Sequence, residues 1–147
     1  MCQNYAKCEL NKIKRYDAQI DFLCSEVARI RGLALKVTTT ISGDVGGGCG
    51  SKDKIADAVA RIVDLENEIN EKIDDLILLK ERLMNCINRL SKPEYITVLE
   101  RRYFKYDPFH VIADEMGYSE RNIGYMHGYA LKELNEILKG ENANVTC

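Results

Sequence analysis

From Ile13 onward, apolar residues return every seven positions. Ile13, Ile20, Val27 and Ala34 form one row, and Tyr16, Leu23, Ile30 and Val37 form a second. Four such pairs at a spacing of about 3.5 residues predict a helix with a narrow apolar seam. A longer row follows in Ile55, Ile62, Ile69, Leu76, Leu83 and Leu90. Its companion row, Val59, Glu66, Ile73, Lys80 and Ile87, is interrupted twice by charge. A helix over 52–90 would be roughly 58 Å long at about 1.5 Å per residue, more than the first helix alone could cover. Charged seam positions such as Glu66 and Lys80 set register or partner at a cost in stability. The simplest arrangement is an antiparallel helical hairpin whose remaining seam is used for self-association, with a dimer as the expected homo-oligomer.

Between the two patterns, Thr38–Ser51 is rich in Thr and Gly, which disfavour helix, so it reads as a flexible connection. A phosphate-binding loop would need Gly-Lys-Ser/Thr entering a helix after a strand. Here the order is Gly50-Ser51-Lys52 and no strand pattern precedes it. Ser51 is placed to cap the second helix, and Asp53 suits its positive N-terminus.

Beyond Leu90 the pattern changes. Ser91-Lys92-Pro93-Glu94 fits a capping box with Pro in the first turn, which puts a domain boundary at 91. Three helices are expected after it. The first lies near 93–105, the second over 108–116 with Asp107 as N-cap and Pro108 at N1, and the third from about 120 to 138, ended by Gly140. The chain thus divides into a helical region over 1–90 with its linker at 38–51, a three-helix domain over 91–139, and a tail over 140–147 expected to be disordered. The fold class is all-α.

Residues 107–128 carry helix-turn-helix spacing. Ala113 comes four residues before Gly117 and Ile123 six after it. The alanine lets two helices cross closely, the glycine can take φ > 0 in the turn, and the isoleucine anchors the second helix. Such a helix has its N-terminal half free to enter the major groove of double-stranded DNA. Its inward stripe is Ile123, Met126, Ala130, Leu134 and Ile137. The opposite face carries Arg121, Asn122, Tyr125, Tyr129 and Lys132. Arg121 can pair with guanine O6/N7 and Asn122 with adenine, while Tyr125 can reach a base edge, a thymine methyl or phosphate. Ser119 is placed to cap this helix and to offer phosphate its hydroxyl. Arg101, Arg102 and Lys105, at the end of the preceding helix, are candidate phosphate contacts, with Arg102 equally suited to a structural ion pair.

Several stretches also carry a family likeness. Leu-Ser-Lys-Pro (90–93), Val-Leu-Glu-Arg-Arg-Tyr-Phe (98–104), Val-Ile-Ala-Asp-Glu-Met-Gly-Tyr-Ser (111–119) and Ala-Leu-Lys-Glu-Leu (130–134) resemble the region-four domain of sigma-70-type factors. Within that group the chain is most similar to phage and prophage transcriptional regulators of the RinA and ArpU kind. Met116-Gly117-Tyr118-Ser119 and His127-Gly128-Tyr129-Ala130-Leu131 carry most of that likeness. The resemblance implies a sigma region-four-like helix-turn-helix behind a helical N-terminal half, and a DNA-binding regulator of phage genes acting in the host bacterial cytoplasm. RNA polymerase is a further partner it implies.

Composition narrows the alternatives. With 46% apolar and 30% charged residues the chain is neither disordered by composition nor membrane-like. The net charge is −2, and residues 91–139 hold seven Lys/Arg against eight Asp/Glu. Phosphate neutralisation supplies most non-specific DNA affinity, so a single copy is expected to bind weakly and to rely on oligomerisation or a partner. Six scattered cysteines without a C-x-x-C pair, and two histidines remote from them, do not form a zinc pattern. Cys24 and Cys86 are expected to be small buried hydrophobes and the other cysteines reduced. No nucleophile–base or paired-carboxylate arrangement stands out, so neither catalysis nor a cofactor is expected. The competing class is a phage assembly protein, a small-terminase-like DNA adaptor or coiled-coil scaffold, that uses the long helices as its main surface.

Overall fold

The computed structural model describes residues 4–41 and 50–145, and every structural statement below concerns those residues. Five helices follow one another, with no strand: α1 (Tyr5–Ile41), α2 (Gly50–Ile87), α3 (Pro93–Tyr103), α4 (Phe109–Met116) and α5 (Glu120–Val145). The all-α fold class expected from the heptad patterns is what forms. None of the helices is long and apolar enough to cross a membrane.

The chain makes two compact units. One is Tyr16–Leu76; the other joins Met1–Arg15 to Ile77–Cys147. In the first, Leu23 and Val27 of α1 and Leu65 of α2 form a buried cluster, with Ile30, Ile62 and Ile69 packed against it. Later residues of α1 face earlier residues of α2: Ile30, Leu33 and Val37 share a cleft with Lys54, Ile55 and Ala58. Arg31 forms an ion pair with Glu66. Glu66 therefore has an intrachain partner at the seam's edge.

Leu65 shows where the heptad reading of α2 was off. It is 2% exposed, while Val59, placed in the seam by the sequence pattern, is 53% exposed. Leu65 and Cys86, three residues after Ile62 and Leu83, are buried, and so is Ile87 of the expected row, four after Leu83; Glu66, Ile73 and Lys80 of that row are half-buried. Positions i+3 and i+4 flank the same helical stripe, so an apolar pattern alone does not choose between them.

The second unit holds α3, α4 and α5 together with the first turns of α1 and the last turns of α2. Val98, Ile112, Ala113 and Ile123 form its central cluster, flanked by Phe109, Met116 and Met126. Leu10, Ile13, Leu83, Ile87, Leu134 and Leu138 are fully buried as well. Polar contacts join these segments. The Ala6 backbone N–H donates to Asn135 Oδ1 at 3.2 Å, and Arg82 pairs with the buried Glu9 at 3.2 Å. The boundary expected at 91 falls inside this unit, because the ends of α1 and α2 supply apolar side chains that the short helices lack.

Other local expectations also shift. α1 continues through Thr38–Ile41, and α2 is already helical at Gly50, so the connection is shorter than 38–51; residues 42–49 lie outside the described residues. A Thr costs a helix only about 0.7 kcal/mol or less relative to Ala, which two long helices absorb. Helix α5 passes through Gly140 to Val145, so the expected tail is helical to that point. Arg89 pairs with Glu141 at 3.1 Å, and Leu138 is buried, which holds the turns on either side of the glycine. Residues 146–147 lie outside the described residues. Cys86 is buried as expected, but Cys24 is exposed, and Cys8 is disulfide-bonded where a reduced thiol was expected.

Candidate nucleic-acid interface

Ser51, expected to cap α2, lies inside that helix, which is already formed at Gly50; of the three caps expected after Leu90, two move and the third forms. Ser91 does not cap α3: its backbone N–H and its hydroxyl both donate to the Glu133 carboxylate of α5, at 2.6 and 2.9 Å. Lys92 is the N-cap and Pro93 opens the helix. At α4 the N-cap is Pro108, not Asp107. Asp107 instead closes the corner after α3. Its N–H donates to the Arg101 carbonyl at 3.0 Å, and its own carbonyl accepts from Arg102 at 3.3 Å.

The turn into α5 forms as its spacing requires. Gly117 has φ 76°, the left-handed conformation that glycine takes without a Cβ penalty, and its N–H donates to Ala113 O at 2.9 Å. Ser119 Oγ then accepts the Asn122 N–H at 3.1 Å, an N-cap bond. Ala113 and Ile123 are 4% and 0% exposed, so the two helices cross over an alanine and lock on the isoleucine.

That geometry turns one face of α5 outward. Ser119, Arg121, Asn122, Tyr125, Tyr129 and Lys132 are all exposed. Arg121 Nε donates to the Tyr125 hydroxyl at 3.3 Å, and its guanidinium lies 5.8 Å from the ring centre. This holds the arginine along the helix face with its terminal nitrogens directed to no other side chain among the described residues. Asn122, Tyr125 and Tyr129 line a groove of about 480 Å³ together with Met126, Tyr95 and Tyr118. Lys92 lies over the Tyr95 ring at 5.4 Å. Lys92, Tyr95 and Tyr118 were missed by the sequence reading. Their signal was the tyrosines that flank the motif at both ends. Glu94 also lines the groove and opposes phosphate at that end.

The expected phosphate contacts before α4 divide. Arg101 forms an ion pair with Glu115, with only 20% of its side chain exposed. Arg102 lies 4.6 Å over the Phe109 ring. Both are held within the fold, and only Lys105 is exposed without an ion pair. At Gly124 and Gly128 an added Cβ would meet nothing within 4 Å, so packing inside the chain does not require glycine there.

His127 sits inside. Its Nε2 is 2.8 Å from the Tyr103 hydroxyl, and its ring packs against Tyr103 and Phe109. Burial, reinforced by Lys7 and Arg102, pushes the imidazole down to about 4. The folded chain therefore binds this proton less readily than the unfolded one, whose histidine titrates near 6.5. The resulting stabilisation is complete above about pH 6.5 and declines as pH falls towards 4. With part of the ring reachable by water, the loss over that window is expected to be about 1–2 kcal/mol. Urea unfolding at pH 7 and pH 5, compared between the natural chain and His127→Gln, reads it; equal pH slopes in the two would contradict it.

Residues 36–135 match the family described as a protein of unknown function (DUF1492), over about two thirds of the chain, so the chain belongs to that family. Neither a curated protein nor a solved structure matches the chain.

Proposed function

We propose that this member of the DUF1492 family is a DNA-binding transcriptional regulator of phage or prophage genes, which reads the major groove of double-stranded DNA with the first half of α5. The observation that carries this reading is the turn. A left-handed Gly117 and a capping Ser119 start a helix whose Arg121, Asn122, Tyr125, Tyr129 and Lys132 share one exposed face. Arg and Asn are the side chains that pair bidentately with guanine and adenine, and a free helix N-terminus favours phosphate. The likeness of 90–138 to sigma region-four domains and to RinA- and ArpU-type regulators supports a phage promoter as the target, in the cytoplasm of the host. With only seven Lys/Arg against eight Asp/Glu over 91–139, affinity would come from two copies, or from RNA polymerase held beside the site.

The test is selection of bound duplexes from a random pool, followed by fluorescence anisotropy against salt. One preferred site is expected, with affinity falling steeply as salt rises. Changing Arg121 and Asn122 together to alanine should cost about 1–3 kcal/mol per lost base pairing and flatten the preference. A preference unchanged in that variant, or none in the natural chain, would overturn the assignment. Assembly into a large ring, measured by light scattering, would move the reading to a packaging adaptor.

A further inference from the structure

Behind α5, away from the tyrosine groove, the first turns of α1 meet the corner between α3 and α4 around a cavity of about 240 Å³. Lys7 and Lys14 of α1 and Arg102 of α3 line it, with Asn11, Tyr103 and His127, and no carboxylate among the described residues does. None of these three cations is in an ion pair among the described residues. Half-buried Lys12 and Arg82, by contrast, share Glu9, and Arg101 has Glu115. In a chain of net charge −2, three cations without an ion pair gathered on one cavity are a local excess of positive charge.

We propose that this cavity is a binding site for a small phosphate-bearing anion, held by Lys7, Lys14 and Arg102. Arg102 is already fixed, by its stack on Phe109 and its bond to the Asp107 carbonyl, so its guanidinium is presented without further ordering. The two lysines supply mobile ammonium donors, and Asn11 and the Tyr103–His127 pair add neutral polar groups. The volume is far beyond the roughly 10–15 Å³ that one water needs, and below the roughly 300 Å³ at which drug-sized sites begin, which fits a small ligand. Tyr106, also on the cavity wall, has φ 61°, a left-handed backbone rare for a bulky residue and found preferentially at ligand sites. His127 and Tyr125 are two residues apart on α5, so they point about 200° apart. A duplex on the Tyr125 face would not reach this cavity, which makes a free phosphorylated molecule the source of the phosphate. Low pH aside, His127 is neutral here and leaves the positive charge to the three cations.

The experiment titrates sodium pyrophosphate into the full chain at constant ionic strength while following the imidazole resonances by NMR. His127 is expected to shift saturably, with its proton affinity raised as the anion offsets Lys7 and Arg102, while the exposed His110 does not follow. Lys7→Ala combined with Lys14→Ala should weaken binding by roughly tenfold or more; both side chains are exposed, so the fold is expected to persist. Lys139→Ala, away from the cavity, should leave binding unchanged. A linear response without saturation, parallel shifts of both histidines, or an unaltered midpoint in the double variant would overturn the proposal. A His127 response to a DNA duplex in place of pyrophosphate would overturn its small-ligand assignment.

Discussion

Replacing Ile123 with alanine is expected to lower the unfolding free energy of the α3–α5 unit by about 2–5 kcal/mol. The side chain is fully buried where Val98, Ile112 and Ala113 meet it from α3 and α4. The packed helices α3 and α4 limit how far the site can close around the lost atoms, so a cavity term adds to the lost transfer energy. Ile123→Val should cost only about 0.5–1.5 kcal/mol, because one methyl group leaves less space. Tyr125→Ala, two residues on and 53% exposed, should stay within about 0.5 kcal/mol of the natural chain. Urea denaturation followed at 222 nm, a wavelength that reads helix content, ranks the three. An Ile123→Ala variant no weaker than Tyr125→Ala would mean that the helix crossing is not packed as described. The pair also separates two kinds of loss. Ile123 should weaken DNA binding only by unfolding the helix, whereas Tyr125 should weaken it in a chain that remains folded.

What the sequence disclosed, and what it hid, follows from the range of the forces involved. The turn into α5 was readable residue by residue. Gly117 and Ser119 act on neighbours within about one helical turn, Ile123 packs on the helix just across that turn, and each takes the expected role. The exposed face of α5 was readable for the same reason, since helical period alone groups Arg121, Tyr125, Tyr129 and Lys132. The start of α3 was not. Ser91 has the right neighbour for a local capping box, yet a carboxylate arrives from Glu133 on another helix and takes both of its donors. The surroundings of Arg101 and Arg102 were hidden in the same way. Their partners, Glu115 and Phe109, lie on α4 and reach them only through the tertiary fold. The join between the start of α1 and the α3–α5 helices was also hidden. No periodicity in residues 5–15 indicates that Ala6 will find Asn135.

The start of α1 is also joined to α2, through a buried charge that makes a sharper prediction. Glu9 is 3% exposed and is shared between Lys12 of its own helix and Arg82 of α2. Removing one partner of a buried pair leaves a charge poorly compensated, at about 3–5 kcal/mol when nothing else remains. Here Lys12 stays and Arg82 is itself 40% exposed, so Arg82→Met is expected to cost about 2–3 kcal/mol. Glu9→Leu removes the buried carboxylate itself. Arg82 can then turn to water or to Glu141, 4.0 Å away, and the leucine adds apolar area beside fully buried Leu10 and Ile13. That variant should lie within about 1 kcal/mol of the natural chain, or above it. Combining both changes should restore most of what Arg82→Met loses, because the charge that needed a partner is gone. A double-mutant cycle in urea reads the coupling directly. The reverse order, with Glu9→Leu far worse than Arg82→Met, would show that the carboxylate holds α1 to α2 by attraction and is not a buried charge tolerated for its pairing. The distinction bears on function through position. Asn135 and Glu141 both lie on α5, the helix whose first turns carry Arg121 and Asn122. A loosened α1 start would therefore act on the same helix that carries the proposed reading face, while leaving the residues of that face untouched.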